Sequence, residues 1–76
     1  MEYNYFTYRV QVQCDKDSSW LYGVTTGYDY SDAVANVCET YSNKKIIQLI
    51  VEDFDNSACL EMTKEALEDF KRAVNF

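Results

Sequence analysis

Apolar and mostly polar residues alternate one by one from Asn4 to Cys14. The apolar series is Phe6, Tyr8, Val10, Val12 and Cys14. The other series is Tyr5, Thr7, Arg9, Gln11 and Gln13. Because successive side chains of a strand point to opposite faces of a sheet, this alternation predicts a β-strand with one face in the core.

The following segment is predicted to form a hairpin with this strand. Asp15–Ser19 has the composition of a turn, and Trp20–Thr25 is rich in residues that favour strands. Gly27 then ends the second strand. The sheet face turned away from the core is expected to carry Tyr3, Tyr5, Arg9 and Gln11.

Two helices are predicted from apolar spacings of three and four residues. Ser31 is a suitable N-cap for the first helix, and Thr63 is one for the second. The first apolar stripe is Val34, Val37, Cys38 and Tyr41. The second stripe is Ala66, Leu67, Phe70, Ala73 and Val74.

Between the helices, Lys45–Phe54 is predicted to be a buried or central strand. A turn at residues 55–57 and a short returning strand at Ala58–Leu60 follow it. Elements this short bury their apolar sides only by packing together. We therefore predict a single domain over residues 1–76 with an α+β fold. It has an antiparallel sheet of three to four strands and two helices on one face, in the order ββαβ(β)α.

The net charge of −6 comes from one stretch, Glu52–Asp69. Against one base, Lys64, this stretch carries the carboxylates of Glu52, Asp53, Asp55, Glu61, Glu65, Glu68 and Asp69. The rest of the chain holds six acids and six bases and is neutral. An acidic surface repels nucleic acid and attracts a basic groove, so we expect a protein partner and no direct binding of nucleic acid.

The candidate partner-binding acids are Asp53, Asp55, Glu61, Glu65, Glu68 and Asp69. Helical spacing places Glu61, Glu65 and Glu68 on the side opposite the apolar stripe, where they would form a row facing water. In the simpler interpretation this row is a solvated face, with Glu68 paired to Lys64 and Arg72. In the other interpretation it takes the place of phosphates on a basic partner.

Seven tyrosines form a second set of candidates. Tyr8 and Tyr41 belong to the predicted buried stripes. The four expected on the outward strand face or in the Gly27–Ser31 loop are Tyr3, Tyr5, Tyr28 and Tyr30. Bulky amphipathic rings commonly anchor protein interfaces, so these four are predicted to bind the partner.

The sequence argues against a metal site, a cofactor and catalysis. Asp15, Asp17 and Ser19 resemble the start of a calcium loop, but Trp20 stands where glycine is needed and Thr26 where a bidentate glutamate is needed. The chain has no histidine and no glycine-rich phosphate loop. We therefore expect no metal, no cofactor and no enzymatic activity.

The three cysteines, Cys14, Cys38 and Cys59, are widely spaced and odd in number, which argues against a disulfide framework. Cys14 and Cys38 fall on predicted core faces and are expected to be buried thiols. No segment has the features of a signal peptide or a membrane span. These observations favour a cytoplasmic protein that does not bind a membrane.

Two resemblances bear on function. The segment Tyr5–Tyr41, with Ser31-Asp32-Ala33-Val34 opening its helix, is similar to the antitoxin domains of the HicB type. The whole chain, through the carboxylates of Glu52–Asp69 and its tyrosines, resembles the small acidic proteins that phages encode against host defence, anti-CRISPR proteins among them. The second resemblance implies a stoichiometric inhibitor that occupies a basic channel or a protein interface.

The sequence therefore predicts a small acidic inhibitor that docks on the basic surface of a nucleic-acid-handling protein. Two alternatives stay open. One is a homo-oligomeric structural or interaction protein, such as a homodimer, that uses its tyrosine-bearing sheet face. The other is an antitoxin-like protein that neutralises a basic toxin.

Overall fold

Six elements follow one another in the computed structural model, which describes residues 3–55 and 58–74. In chain order they are β1 (Asn4–Cys14), β2 (Asp17–Gly27), α1 (Tyr30–Thr40), β3 (Lys45–Asp53), β4 (Cys59–Met62) and α2 (Lys64–Ala73). The strands form one antiparallel sheet in the order β2-β1-β3-β4. This confirms the predicted α+β fold, with the short fourth strand present. Of the turn predicted at residues 55–57, positions 56 and 57 lie outside the described residues.

The β1–β2 hairpin differs from the prediction in the length of its turn. The turn is only Asp15 and Lys16, and Cys14 pairs directly with Asp17. Asp15 adopts a positive φ of 54°, which aspartate tolerates better than most residues and which short hairpin turns require. The strands are therefore 11 residues each, because the serines that resemble a turn in composition are paired in the sheet.

One hydrophobic core lies between the sheet and both helices. It consists of Phe6, Val10, Val12, Ala33, Val34, Val37, Cys38, Ile46, Leu49, Val51 and Leu67. Members come from β1, β3, α1 and α2, so the two helices share one face of the sheet, as predicted. Cys14 is an exception to the expected burial: it is exposed, because it lies at the hairpin end of β1 next to the turn.

The first helix begins earlier than predicted. Asp29, and not Ser31, is the N-cap: its carboxylate accepts a hydrogen bond from the Asp32 backbone N–H at 2.8 Å. The Asp32 carboxylate in turn accepts from the backbone N–H of Tyr28 at 3.0 Å. This reciprocal pairing satisfies two backbone donors in the manner of a capping box. At the second helix Thr63 is the N-cap, as predicted, and accepts from the Ala66 N–H at 3.2 Å.

A tyrosine pair closes the core beside the hairpin. The hydroxyls of Tyr8 and Tyr41 are 2.8 Å apart, and their rings meet edge to face. Tyr8 is paired across the strands with Gly23, and its ring covers that glycine. Burial, followed by the hydrogen bond to Tyr41, raises the pKa of Tyr8 to about 12.

Neither helix, at 11 and 10 residues, reaches the length of a membrane span, and no longer helix occurs in the described part of the chain.

Candidate protein-binding face

One face of the sheet carries no helix, and we call it the helix-free face. Because the core face of β1 holds Phe6 and Val10, the intervening positions and their strand partners lie on the other side. The side chains on the helix-free face include Tyr5, Thr7, Arg9 and Gln11 from β1, Trp20, Tyr22 and Val24 from β2, Ile50 and Glu52 from β3, and Glu61 from β4. This confirms the expected placement of Tyr5, Arg9 and Gln11.

The helix-free face is rich in exposed apolar surface. Tyr22 is 69% exposed, Val24 and Tyr5 are each 59% exposed, and Trp20 is 39% exposed. Ile50, in contrast, is only 9% exposed, although no helix covers it. The neighbouring side chains on the sheet therefore surround Ile50 on this side, and β3 is buried on both of its faces at this point.

A shallow cavity of about 470 Å³ opens on this face. It is lined by Thr7, Tyr8, Arg9, Tyr22, Gly23, Val24, Ile50 and Glu52. Ile50 is the least exposed of these residues, while Arg9 and Glu52 bring charged groups of opposite sign to the same opening. The opening therefore combines apolar walls with charged groups of opposite sign.

The predicted tyrosine anchors do not all lie in one place. Tyr3 and Tyr28 stack on each other, with ring centroids 4.8 Å apart and an angle of 17° between the rings. A hydrogen bond to Tyr3, then partial burial and the Asp32 carboxylate raise the pKa of Tyr28. Both rings are exposed at the open end of the hairpin, away from its turn. Tyr3 precedes Tyr5 by two residues, and Tyr28 follows Thr26, the strand partner of Tyr5, by two residues.

Tyr30 lies elsewhere than predicted. It is the first residue of α1 and not part of a loop, its ring packs 5.2 Å from that of Phe6, and its hydroxyl donates to the Ala58 carbonyl at 2.8 Å. Tyr30 thus contributes to the core and ties α1 to the start of β4. Its side chain is half-buried.

The predicted acidic strip is divided between two sides of the molecule. Glu61 is not on the helix, because Thr63 caps α2 and Glu61 belongs to β4, where it pairs with Ile50. Its side chain therefore lies on the helix-free face, as does that of Glu52. The helix carries Glu65, which is exposed like its neighbours Glu68 and Asp69.

The two remaining acids lie at the end of β3. Asp53 ends that strand and is half-buried, and its carboxylate accepts a hydrogen bond from the Asp55 backbone N–H at 2.8 Å. Asp55 itself is exposed. In sequence these two residues lie between Glu52 and Glu61, and the strip as a whole is not one row along a helix.

Asp69 on α2 takes part in an exposed ion pair. Its carboxylate lies 3.5 Å from the Arg72 guanidinium, and both side chains are about three-quarters exposed. The pairing of Glu68 with Lys64 and Arg72, expected if the row is only a solvated face, is not among the contacts of the described residues. An exposed pair of this kind contributes on the order of 0.5 kcal/mol or less.

Of the three cysteines, one is buried and two are exposed. Cys38 is buried in α1, and its burial raises the pKa of the thiol, an effect that nearby Lys71 partly offsets. A high pKa keeps the thiol protonated and unreactive. Cys14 and Cys59 are exposed and unpaired thiols. Within the described ranges, no three His, Cys, Asp or Glu side chains come close enough together to hold a metal ion.

Comparisons with protein-family models, with curated proteins and with solved structures found no match to this chain.

Proposed function

We propose that this chain is a small acidic protein-binding domain that docks on the basic surface of a partner and blocks it. The observation that carries the proposal is the helix-free face, where Tyr5, Trp20, Tyr22 and Val24 expose large apolar side chains. Tyr22 and Val24 also line the cavity on this face. Contiguous apolar surface of this kind on a small domain is characteristic of protein interaction sites. Tyrosine and tryptophan are also the residues that most often dominate binding energy.

The carboxylates on the helix-free face favour a partner with a basic surface. Glu52 and Glu61 form an acidic rim on the β3–β4 side of the helix-free face, while Arg9 lies nearer its centre. A partner that covers this rim meets two carboxylates next to the apolar side chains. Basic residues on the partner complement this rim, and the surface of a nucleic-acid-handling protein supplies them. The carboxylates of α2 point from the other side of the sheet and act at long range, by steering the encounter.

The narrower form of this proposal is a phage-encoded inhibitor of a host defence complex, working in the cytoplasm of the host. Its support is the resemblance in size, charge and tyrosine content. The free thiols of Cys14, Cys38 and Cys59 are compatible with a reducing compartment. An antitoxin that neutralises a basic toxin would use the same face, and the identity of the captured partner distinguishes the two.

The decisive experiment compares matched valines after a partner has been captured from host lysate and purified. Val24 lies on the helix-free face and is 59% exposed, whereas Val74 follows α2 and is 47% exposed. We expect Val24→Ser to weaken binding roughly tenfold or more, as for a truncated interface anchor. Val74→Ser should leave the affinity unchanged. Equal affinities for both variants would refute docking through this face.

Salt dependence tests the electrostatic part separately. Exposed charges are screened beyond about 8 Å at physiological ionic strength, so the association rate should fall as salt is added. Glu61→Lys should lower both the association rate and the affinity, whereas Glu68→Lys on α2 should act mainly on the association rate. An association rate that is constant from low to high salt would remove the basic partner from the proposal.

A further inference from the structure

The outer edge of β2 is long and carries no charge. The strand order places β2 at one side of the sheet with only β1 as its neighbour. From Ser18 to Thr26 its nine residues, SSWLYGVTT, include no acid, no base and no proline. Natural proteins usually protect an edge with charges, proline or a very short strand, because unpaired backbone groups recruit another strand. This edge has none of those protections.

Two hydrogen bonds show which backbone groups of β2 face outward. The Thr26 carbonyl accepts from the Asn36 side-chain amide of α1 at 2.6 Å, so it faces away from β1. The carbonyl of Tyr5, its strand partner, accepts from the Phe54 N–H at 3.1 Å and so faces away from β2. Because these directions alternate along an antiparallel pair, the N–H and C=O groups of Ser18, Trp20, Tyr22 and Val24 also point outward.

We propose that a second copy of this chain pairs with this edge, antiparallel, about a twofold axis beside Leu21. In that register Trp20 lies opposite Tyr22 of the second copy, and Ser18 lies opposite Val24 of the second copy. All four outward-facing residues of each copy then exchange backbone hydrogen bonds, about eight in total. The backbone pairing between the two copies ends before Thr26, because the Thr26 carbonyl already accepts a hydrogen bond from the Asn36 side chain.

The side chains are complementary to themselves in this register. On the helix-free face, the ring of Trp20 adjoins that of Tyr22 from the other copy, and symmetry makes this contact twice. Cross-strand aromatic pairs are among the more stabilising contacts of a sheet. A twofold interface needs one patch that matches itself, and a strand without charges meets that need without bringing like charges together.

The distribution of charge also favours a second copy. The excess acid belongs to β3, β4 and α2, and β4 is the strand farthest from β2. With neighbouring strands about 4.8 Å apart, the two β4 strands of an eight-stranded sheet lie roughly 34 Å from each other. That separation is about four times the screening length at physiological salt. Two chains of charge −6 therefore meet at the place where neither carries charge.

This inference is independent of the proposed function, because pairing at the edge uses backbone groups and the sides of the Trp20 and Tyr22 rings, and leaves the rest of the helix-free face open. The dimer would hold two copies of the cavity on one continuous sheet. Failure of the edge pairing and failure of partner docking are thus separate results.

Hydrogen exchange of the unmodified protein gives the most direct test. In a monomer the backbone amides of β2 should alternate, with slow exchange at Ser19, Leu21 and Gly23, which face β1, and fast exchange at Trp20 and Tyr22. If the proposed dimer forms, the amides of Trp20 and Tyr22 exchange more slowly as the protein concentration rises. Light scattering then gives twice the monomer mass. A monomer at millimolar concentration, or a dimer whose Trp20 and Tyr22 amides still exchange fast, overturns the proposal.

A pair of variants isolates the backbone contribution. Tyr22→Thr and Tyr22→Pro both remove the ring, but only proline removes the outward N–H, and at that position it spares the bonds to β1. We expect Tyr22→Pro to dissociate the dimer about 30-fold more readily than Tyr22→Thr, from two lost hydrogen bonds per dimer. Equal dissociation constants for the two variants would contradict the edge pairing.

The control for proline itself is Cys59→Pro on the opposite edge. The Asp53 N–H donates to the Ala58 carbonyl at 2.9 Å, and alternation then turns the Cys59 N–H away from β3. This variant should dimerise like the unmodified chain. A dimer that Cys59→Pro disrupts and Tyr22→Pro leaves intact would place the interface on β4 and refute the proposal.

Discussion

Replacing Gly23 by alanine tests how the hairpin is packed beneath Tyr8. A Cβ atom at position 23 would lie 2.6 Å from Cζ and 2.9 Å from Cε2 of the Tyr8 ring, and closer still to its hydroxyl. These distances are too short for carbon atoms, so the ring must move. Movement of the ring pulls the Tyr8 hydroxyl away from that of Tyr41, to which it is hydrogen-bonded at 2.8 Å.

The opposing contributions can be estimated. Displacement of a packed ring costs about 1–3 kcal/mol, and loss of the hydroxyl hydrogen bond costs about 1 kcal/mol. Alanine recovers about 0.5–1 kcal/mol, because glycine is the poorer residue inside a strand. The net loss is about 2 kcal/mol, a large share of the roughly 4–11 kcal/mol expected for a domain of this size. At about 4–8 °C per kcal/mol, the melting temperature should fall by roughly 8–16 °C.

Thermal and denaturant unfolding of four proteins measure this effect: the unmodified chain, Gly23→Ala, Tyr8→Leu and the double variant. Leucine at position 8 lacks the ring atoms that meet the new Cβ. In that background alanine at position 23 should therefore be neutral or stabilising by up to about 1 kcal/mol. The reasoning is refuted if Gly23→Ala is as stable as the unmodified chain, or if it has the same effect in both backgrounds.

Two further predictions follow from the hairpin and its tyrosine. Because the pKa of Tyr8 is raised to about 12 in the folded domain, and that of an unfolded tyrosine is about 10, its contribution to stability is present below about pH 10 and is lost as the pH rises towards 12. Denaturant unfolding across this range should show a steeper decline for the unmodified chain than for Tyr8→Phe; parallel declines would contradict the assignment. Asp15→Gly should raise the melting temperature by roughly 2–4 °C, since glycine adopts the positive φ of 54° without strain, and a lower melting temperature would show that the aspartate side chain stabilises the turn.

The fold could be predicted because most of its elements carry one clear signal each. The alternation around Phe6 and Val10 marks β1, and Thr63 marks the start of α2. The start of α1 was wrongly predicted at Ser31; Asp29 is the N-cap, because its carboxylate accepts a hydrogen bond from the Asp32 backbone N–H. Local preference alone does not reveal that bond.

The candidate site was harder to predict, and the reason lies in β2. Trp20, Tyr22 and Val24 alternate with Leu21 and Gly23, so neither series looks polar. Only the length of the preceding turn decides which series faces the core, and a turn of five residues leaves the register open. With the two-residue turn the register follows, and the three apolar side chains fall on the helix-free face.

The acidic stretch shows a second limit of sequence reasoning. Helical periodicity was extended back to Glu61, beyond the cap at Thr63. Glu61 belongs to β4 and points to the helix-free face, away from α2. The acids predicted to form one row therefore lie on two separate surfaces. Where a helix starts thus determines which charges act together.

The shortness of β4 has a consequence for how large any assembly of this chain can become. It offers four residues at the far side of the sheet, against 11 in β2, and its exposed Glu61 repels a like strand. A sheet that can be extended from one side only stops growing after a single addition. Concentrated solutions of this chain should therefore stay clear and free of fibres, even though the unpaired edge of β2 has nine uncharged residues.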